Sequence, residues 1–86
     1  MRCGMEIRRG QIMRSLAGHD KGDFQTVLRV DGRFAYMADG KRRKLENPKK
    51  KKLIHLAPTG TVLSEERLST NRQIRTALAE YREHTT

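Results

Sequence analysis

The stretch FQTVLRVDGRFAYMADG, residues 24–40, alternates apolar and polar side chains, carries an Asp-Gly pair at its centre and ends on a second one. Alternation with a period of two is typical of β-strands. An Asp-Gly pair between such runs is a strong hairpin signal, because a type I′ turn needs positive φ at both central residues. The stretch therefore predicts a meander of three antiparallel strands, at residues 24–30, 34–38 and, more briefly, 41–45.

Further strands are predicted on both sides of this meander. Residues 11–17 have a strand-like pattern, and residues 53–57 are apolar enough to form a last strand before Pro58-Thr59-Gly60 ends the sheet. Pro48 cannot donate to a strand ladder, so residues 46–51 are predicted to be a connection. Because a small twisted sheet loses its exposed edges when it closes, we expect a small five-stranded barrel.

The C-terminal part of the chain changes to a helical period. Thr70 followed by Gln73 forms a capping box, which marks the start of a helix. We expect this helix over residues 71–83, packed on the barrel after a lead-in anchored by Leu63 and Leu68. Its apolar stripe consists of Ile74, Ala77, Leu78 and Tyr81. The predicted organisation is an irregular segment at 1–8, the barrel at 9–58, and a linker with the helix at 59–86.

Most of the positive charge lies in one segment, residues 41–52. Its sequence, KRRKLENPKKKK, holds eight Lys or Arg against a single acid and so carries +7 of the formal net charge of +9. A block this dense repels itself unless a polyanion lies against it, and phosphate contact by Lys and Arg supplies most non-specific affinity for nucleic acids. We expect the tetrad at 49–52, in the connection, to be freer to wrap around such a ligand. The predicted contacts are Lys41, Arg42, Arg43, Lys44, Lys49, Lys50, Lys51 and Lys52.

The composition argues against several other classes. Cys3 is the only cysteine, so an internal disulfide cannot form and a Cys-based zinc site would lack ligands. No apolar run approaches the length of a membrane span, and no signal-peptide core follows the first charges. We therefore expect a cytoplasmic protein with no cofactor, no membrane association and no small-molecule substrate.

The residues able to carry chemistry do not form a catalytic pattern. His19 and Asp20 are adjacent in sequence, which seldom provides the spatial opposition of a catalytic pair. Ser15 lacks the Gly-x-Ser-x-Gly elbow of a hydrolase nucleophile. A metal site that adds His55 and Cys3 to the first pair would match no known ligand spacing. The sequence therefore predicts neither an enzyme nor a metal centre.

Two aromatic residues of the meander allow two interpretations. Phe34 and Tyr36 could stack on bases, as aromatic side chains do in proteins that bind single strands. Both share a strand face with Ala38, and we assign that face to the core. We therefore predict that the two rings pack inside the fold.

Residues 12–37 resemble the KOW motif, a short module of alternating apolar and polar residues around one fixed glycine, which falls here at Gly22. The match continues through ADGKRRKLENPKKK at residues 38–51 and LIHL at 53–56, which look like small bacterial KOW-domain RNA-binding proteins. Those proteins are related to KOW-bearing large-subunit ribosomal proteins of archaea and eukaryotes. The segment NRQIRTAL, residues 71–78, is similar to the short helix that ends many of them.

The resemblance covers residues 9–82 and implies an SH3-like barrel, mainly β, that binds RNA and in particular ribosomal RNA. It places the RNA contact in the loop between the first two strands, with the basic segment in support. The ribosome or its proteins are implied as further partners. The loop residues concerned are Gly18, His19, Asp20, Lys21 and Gly22.

Two other classes of function stay open. SH3-like barrels also bind proteins, so the chain could be an interaction module of the transcription or translation machinery. In that case the apolar stripe of the C-terminal helix would face a partner. A duplex DNA binder is disfavoured, because no predicted recognition helix carries the charge.

Overall fold

The computed structural model describes residues 7–85, Thr85 without its side chain, as one antiparallel sheet and one long helix. The strands are β1 (Gln11–Ser15), β2 (Phe24–Asp31), β3 (Phe34–Ala38), β4 (Lys49–Lys52) and β5 (Leu56–Val62), and the helix is α1 (Asn71–Thr85). Short 3₁₀ turns lie at Leu53–His55 and Glu66–Leu68. A mainly β fold with five strands and a C-terminal helix is thus confirmed. Most of the segment predicted to be irregular, residues 1–6, lies outside the described part of the chain.

β2 and β3 form the hairpin that the first Asp-Gly pair predicts. Asp31 lies opposite Phe34, which leaves Gly32 and Arg33 as a two-residue turn. Gly32 has a φ of 63°, and no non-glycine residue in the described chain has a positive φ. The predicted type I′ turn is therefore wrong. Asp31 stays in the ladder, and the glycine takes the first central position, as in a type II′ turn.

The second Asp-Gly pair does not form a hairpin, and residues 41–45 contain no strand. The next strand of the meander is β4, the lysine tetrad itself, which pairs with β3 from Lys49 opposite Met37 to Lys52 opposite Phe34. The predicted connection at residues 46–51 is therefore wrong over its second half. Pro48 is compatible with this arrangement because it precedes the strand and no ladder bond from it is needed.

The last strand also differs from the prediction. The chain forms a 3₁₀ turn at Leu53–His55, and β5 runs through Pro58 to Val62, so Pro58-Thr59-Gly60 does not end the sheet. β5 pairs only with β1 in the strand order, and a proline is tolerated on such an edge strand. The sheet therefore extends to Val62, beyond the predicted boundary at residue 58.

The five strands form an open sheet in the order β4-β3-β2-β1-β5. In residues 7–85, no ladder joins the two edge strands into the closed barrel that the sequence predicts. Instead, the 3₁₀ turn between β4 and β5 makes two backbone hydrogen bonds to other parts of the fold. The Leu53 N–H donates to the Arg33 carbonyl at 2.8 Å, and the His55 carbonyl accepts from the Leu16 N–H at 2.9 Å. One short turn thus carries the chain from one edge of the sheet to the other.

Apolar side chains are buried on both faces of the sheet. Neighbours such as Ile12 and Met13 belong to different clusters, because successive side chains of a strand point to opposite faces. The first cluster consists of Met13, Val27, Ala35, Met37 and Leu56, with Ile7 and Leu53 packed against it. The second lies between the sheet and α1 and consists of Ile12, Ala38, Leu68, Ile74 and Leu78.

Both faces of β3 contribute to a core, and the face predicted to be the core is the less buried of the two. Ala35 and Met37 are fully buried, whereas Phe34 and Tyr36 are only partly buried. On that face, Ala38 packs in the cluster that includes α1, and neither Phe34 nor Tyr36 belongs to this cluster. Phe34 and Tyr36 therefore lie beyond the helix, on a face that is partly open to solvent.

α1 begins where the capping box predicts. The Thr70 hydroxyl oxygen accepts a hydrogen bond from the Gln73 N–H at 3.1 Å. Ile74 and Leu78 are buried against the sheet, and the Tyr81 ring meets Phe24 edge-on with 5.1 Å between ring centroids. Leu63 and Leu68 of the lead-in join the same cluster, as predicted. Ile74, Ala77 and Leu78 of the stripe are therefore used inside the molecule.

Candidate nucleic-acid interface

The first half of the basic segment is a loop with a fixed turn at its start. The Asp39 carboxylate accepts hydrogen bonds from the backbone N–H groups of Lys41 and Arg43, both at 2.8 Å. The N–H groups of Asp39 and Gly40 donate to the Arg43 carbonyl at 2.9 and 3.1 Å. An aspartate that accepts bonds from the backbone after it stabilises such a turn. Its exposed cations are Lys41, Arg42 and Lys44, and Arg43 is half-buried.

The first turn of α1 anchors this loop from the other side. Gly40 lies so close to the helix that a Cβ in its place would collide with the Asn71 carbonyl oxygen and crowd the Arg75 nitrogen. The Asn71 side chain accepts a bond from the Leu45 N–H and donates one to Glu46, both at 2.8 Å. The bond from Asn71 lowers the pKa of Glu46. The basic loop is therefore held on a fixed support at both ends.

The loop and α1 together line a groove that is rich in cations. Phe24 and Leu78 contribute its apolar surface. Asp23 and Asp39 are its acids, and Asp39 is already hydrogen-bonded to the loop backbone. Because Asp23 follows Gly22 directly, the groove reaches the glycine loop. Its four basic side chains, two from the loop and two from the helix, are Lys41, Arg42, Arg75 and Arg82.

The glycine loop between β1 and β2 has a defined backbone. The Gly22 N–H donates to the Ser15 carbonyl at 2.8 Å, and the Lys21 N–H donates to the Gly18 carbonyl at 3.2 Å. Gly22 has a φ of 91°, which favours glycine, and no atom lies within 4 Å of the place a Cβ would take. Another backbone can therefore approach it closely. His19 and Lys21 are exposed on the same loop.

Asp20 differs from its neighbours in the loop, because its carboxylate belongs to a largely buried network. It accepts hydrogen bonds from the Lys51 ammonium at 2.6 Å, the Ser15 hydroxyl at 2.9 Å and the Gln25 amide at 3.0 Å. Lys51 also donates to the Ser15 hydroxyl and the Ala17 carbonyl, so each of its three N–H groups has an acceptor. Burial raises the pKa of Asp20, but the bonds from Lys51 and Ser15 and the Lys51 charge outweigh it and hold that pKa at about 2.

β4 divides its lysines between the two sides of the sheet, as strand geometry requires. Lys50 and Lys52 are exposed, Lys49 is half-buried, and Lys51 is only 7% exposed. The predicted RNA contact of Lys51 is therefore corrected, because its ammonium is used inside the fold. The same bond brings the basic segment and the glycine loop together, as the sequence predicts.

The outer face of β2, β3 and β4 carries two aromatic rings, each with a cation over it. The Arg29 guanidinium carbon lies 4.0 Å from the Tyr36 ring centroid, and the Lys50 ammonium lies 4.4 Å from that of Phe34. Tyr36 is opposite both cations in the strand ladders, and Phe34 is opposite Lys52. Sequence reasoning missed this face, because it placed both rings in the core. Basic residues at the outward positions of β4 were the available signal.

The helix contributes three residues that the sequence did not single out, namely Asn71, Arg75 and Arg82. Arg75 and Arg82 are seven residues apart, which places them on one face of a helix. This spacing could have identified them, although it does not say that the basic loop lies opposite. Asn71 gives no such signal, because its partners Leu45 and Glu46 come from a distant part of the sequence.

The described residues contain no cluster of three or more His, Cys, Asp or Glu side chains that could hold a metal ion.

Ser15 is 1% exposed, and the ammonium of Lys51 beside it is paired with Asp20. The hydrogen bonds among Ser15, Asp20 and Lys51 hold β4 against the loop between β1 and β2. Between residues 7 and 85, no helix is long and apolar enough to cross a membrane.

Compared with known proteins, the chain matches no family model and no curated protein. What remains is the resemblance of the sequence to the KOW motif, around Gly22, in the basic segment and at residues 71–78.

Proposed function

We propose that the chain is a non-enzymatic RNA-binding protein of the KOW type, which binds ribosomal RNA or another structured RNA. The observation that carries this proposal is the groove in which Lys41 and Arg42 of the basic loop lie near Arg75 and Arg82 of α1. Cations placed this close repel one another, and a polyanion bound among them relieves that repulsion. The groove also reaches the glycine loop beside Gly22.

The proposed fold class is an SH3-like barrel. Five antiparallel strands, with the two edge strands connected by a single 3₁₀ turn at Leu53–His55, support it. The buried cluster around Met13 and Met37, on the face away from α1, is the proposed barrel interior. In this arrangement α1 packs outside the barrel and adds its cations to the RNA-binding surface.

The proposed recognition reads the shape and backbone of the RNA. The guanidinium groups of Arg42 and Arg75 can bind phosphates through two hydrogen bonds each, whereas Lys41 acts as a point charge. Gly22 leaves room for the RNA backbone, and Lys21 beside it reaches a phosphate. Phosphate contacts fix position and orientation without reading bases, so affinity comes from the groove and fit from the loop.

The anchoring of the basic loop favours tight binding. Asp39 fixes its turn, and Asn71 holds its second half against α1. A surface that is already ordered loses less conformational entropy when its ligand binds. The cations are therefore presented in a nearly final geometry.

Salt dependence tests the proposal. A labelled ribosomal RNA hairpin with an internal loop is titrated with the protein between about 50 and 300 mM salt, and log K is plotted against log salt. Engagement of about six phosphates predicts a slope of about −4 to −5. A matched DNA duplex serves as competitor, and we expect the protein to bind the RNA more tightly than the DNA. Undetectable or salt-insensitive binding would overturn the proposal. Preference for the duplex DNA would instead favour a protein that binds duplex DNA.

The identity of the RNA is a separate question with its own experiment. Ultraviolet crosslinking in cells, followed by sequencing of the attached RNA, identifies the bound positions. Reads concentrated in large-subunit ribosomal RNA are expected. Reads spread evenly over messenger RNA would contradict the ribosomal part of the proposal and leave RNA binding itself intact.

A further inference from the structure

The aromatic face of the sheet lies outside the groove and has a chemistry of its own. It consists of two rings and the cations around them, on the same side of the sheet as α1: Arg29, Phe34, Tyr36, Lys50 and Lys52. Tyr36 and Ala38 are two residues apart on one strand, so they are separated by about 7 Å. Ala38 leads directly into Asp39 at the edge of the groove. The face is therefore a continuation of the proposed RNA path.

An apolar recess adjoins this face at the edge of the sheet. Phe34 contributes its ring, and Leu53 and Ile54 of the 3₁₀ turn contribute aliphatic surface. Ile54 is 78% exposed, which is unusual for so large an apolar side chain in a small domain. Arg33 and Lys52 line the same recess. A flat apolar group that carries a negative charge beside it would fit these surroundings.

The charges on the face favour a negatively charged ligand. Asp31 lies opposite Phe34 in the β2–β3 ladder, and it is the acid in a neighbourhood of four cations. The cations are Arg29, Arg33, Lys50 and Lys52, all exposed. Each ring already has a cation over it, and bases stack readily on aromatic rings and on guanidinium planes. Nucleotides join a flat base to a phosphate, so they match both features of the face.

From this we infer that the outer face of β2, β3 and β4 binds unpaired nucleotides of RNA by stacking bases on Tyr36 with Arg29 and on Phe34. The inference rests on the proposed RNA-binding function and adds the class of RNA, since bases in a duplex are already stacked and do not present their faces. The phosphates of the same strand bind Lys50 and Lys52. Lys50 leaves the Phe34 ring when a base takes its place.

A comparison of two oligomers with the same phosphates isolates the bases. One is a fluorescein-labelled RNA dodecamer of adenosines, and the other is an abasic ribose-phosphate dodecamer. Both are titrated at one salt concentration by fluorescence anisotropy, with wild type, Tyr36→Leu and Phe34→Leu. Tyr81→Leu is the matched control, because it removes a ring that packs against Phe24 and lies neither on this face nor in the lining of the groove.

The wild type should bind the adenosine oligomer more tightly than the abasic one. Stacking is worth about 1–3 kcal/mol per base, so Tyr36→Leu and Phe34→Leu should each lower the ratio of the two affinities, adenosine over abasic, roughly 5- to 150-fold. Tyr81→Leu should leave this ratio unchanged.

Two results would overturn the inference and leave the proposed function standing. One is equal affinity of the wild type for both oligomers together with salt-dependent binding of structured RNA. The other is a ratio that Tyr36→Leu and Phe34→Leu leave unchanged in folded protein. Absence of binding to any RNA, structured or not, would remove the proposed function and this inference together.

Discussion

The Lys51 ammonium donates a hydrogen bond of 2.6 Å to Asp20 Oδ1 and so joins β4 to the glycine loop between β1 and β2. The two side chains are only 7% and 15% exposed. Burial of two charges is costly, and their attraction offsets this cost only when the remaining donors and acceptors are satisfied. Here Ser15, Ala17 and Gln25 complete the set. The position of the glycine loop therefore depends on a lysine from the basic segment.

Lys51→Met should destabilise the protein, whereas Lys50→Met should not. The first change leaves the Asp20 carboxylate largely buried without its cation, at a cost of about 3–5 kcal/mol in the free energy of unfolding. Lys50 is exposed and its ammonium lies over the Phe34 ring, so its loss should change the unfolding free energy by less than about 1 kcal/mol. Urea unfolding followed by circular dichroism measures both. Equal losses for the two neighbours would contradict the structural role of Lys51.

The Asp20 carboxylate should make stability depend on pH in the acid range. Its pKa is lowered from 3.8 to about 2 in the folded protein. A lowered folded-state pKa stabilises the protein above the unfolded value, and this contribution is lost as pH falls through the folded value. The contribution is at most about 2 kcal/mol and should vanish between about pH 4 and pH 2.

The variant Asp20→Asn separates the pH-dependent contribution of Asp20 to the unfolding free energy from the contributions of the other acids. The difference in unfolding free energy between wild type and Asp20→Asn should be largest at neutral pH and shrink on acidification. Glu46 and Glu65 also have lowered pKa values, because Asn71 and Arg9 donate to them, but both carboxylates stay in the variant and cancel in the difference. A difference that stays constant down to pH 2 would refute the assignment.

Local patterns predict the fold where local interactions decide it. The period of two gave β2 and β3, and the Thr70 cap with the stripe around Ile74 gave α1. Patterns fail where a distant partner decides. A run of four lysines has no apolar residue to place in a core, yet β4 forms because the inward-facing Lys51 meets Asp20, 31 residues away in sequence.

The candidate site was predictable in its parts more than in their arrangement. The basic segment and the loop at Gly22 stand out from charge and glycine spacing alone. The arginines of α1 and the rings of β3 do not, because their roles depend on what α1 covers. The cluster under the helix includes Ala38 of β3 but neither Phe34 nor Tyr36, and no local pattern reports where a packed helix leaves a strand exposed.

Gly40→Ala should destabilise the protein strongly, with Gly60→Ala as its matched control. Gly40 has a φ of 77°, and a Cβ there would collide with the backbone of α1 at Asn71. Strain and displaced packing together should cost about 2–4 kcal/mol. Gly60 has no atom within 4 Å of its Cβ position, so Gly60→Ala should change stability by less than about 1 kcal/mol. Similar thermal midpoints for the two variants would contradict the contact between loop and helix.

Removal of Lys41 and Arg42 should change the salt dependence of RNA binding as well as the affinity. Each phosphate contact contributes about 0.7–0.9 to the log–log slope, so a Lys41→Gln, Arg42→Gln double variant should flatten it by about 1.4–1.8. Arg67→Gln is the control, because Arg67 pairs with Glu80 at 2.8 Å outside the groove. It also lowers the net charge, so a general effect of charge would flatten its slope as well. Phosphate binding in the groove is supported only if the slope flattens in the loop variant and not in Arg67→Gln. If the slope flattens equally per charge removed in both variants, the affinity comes from the overall charge of the protein.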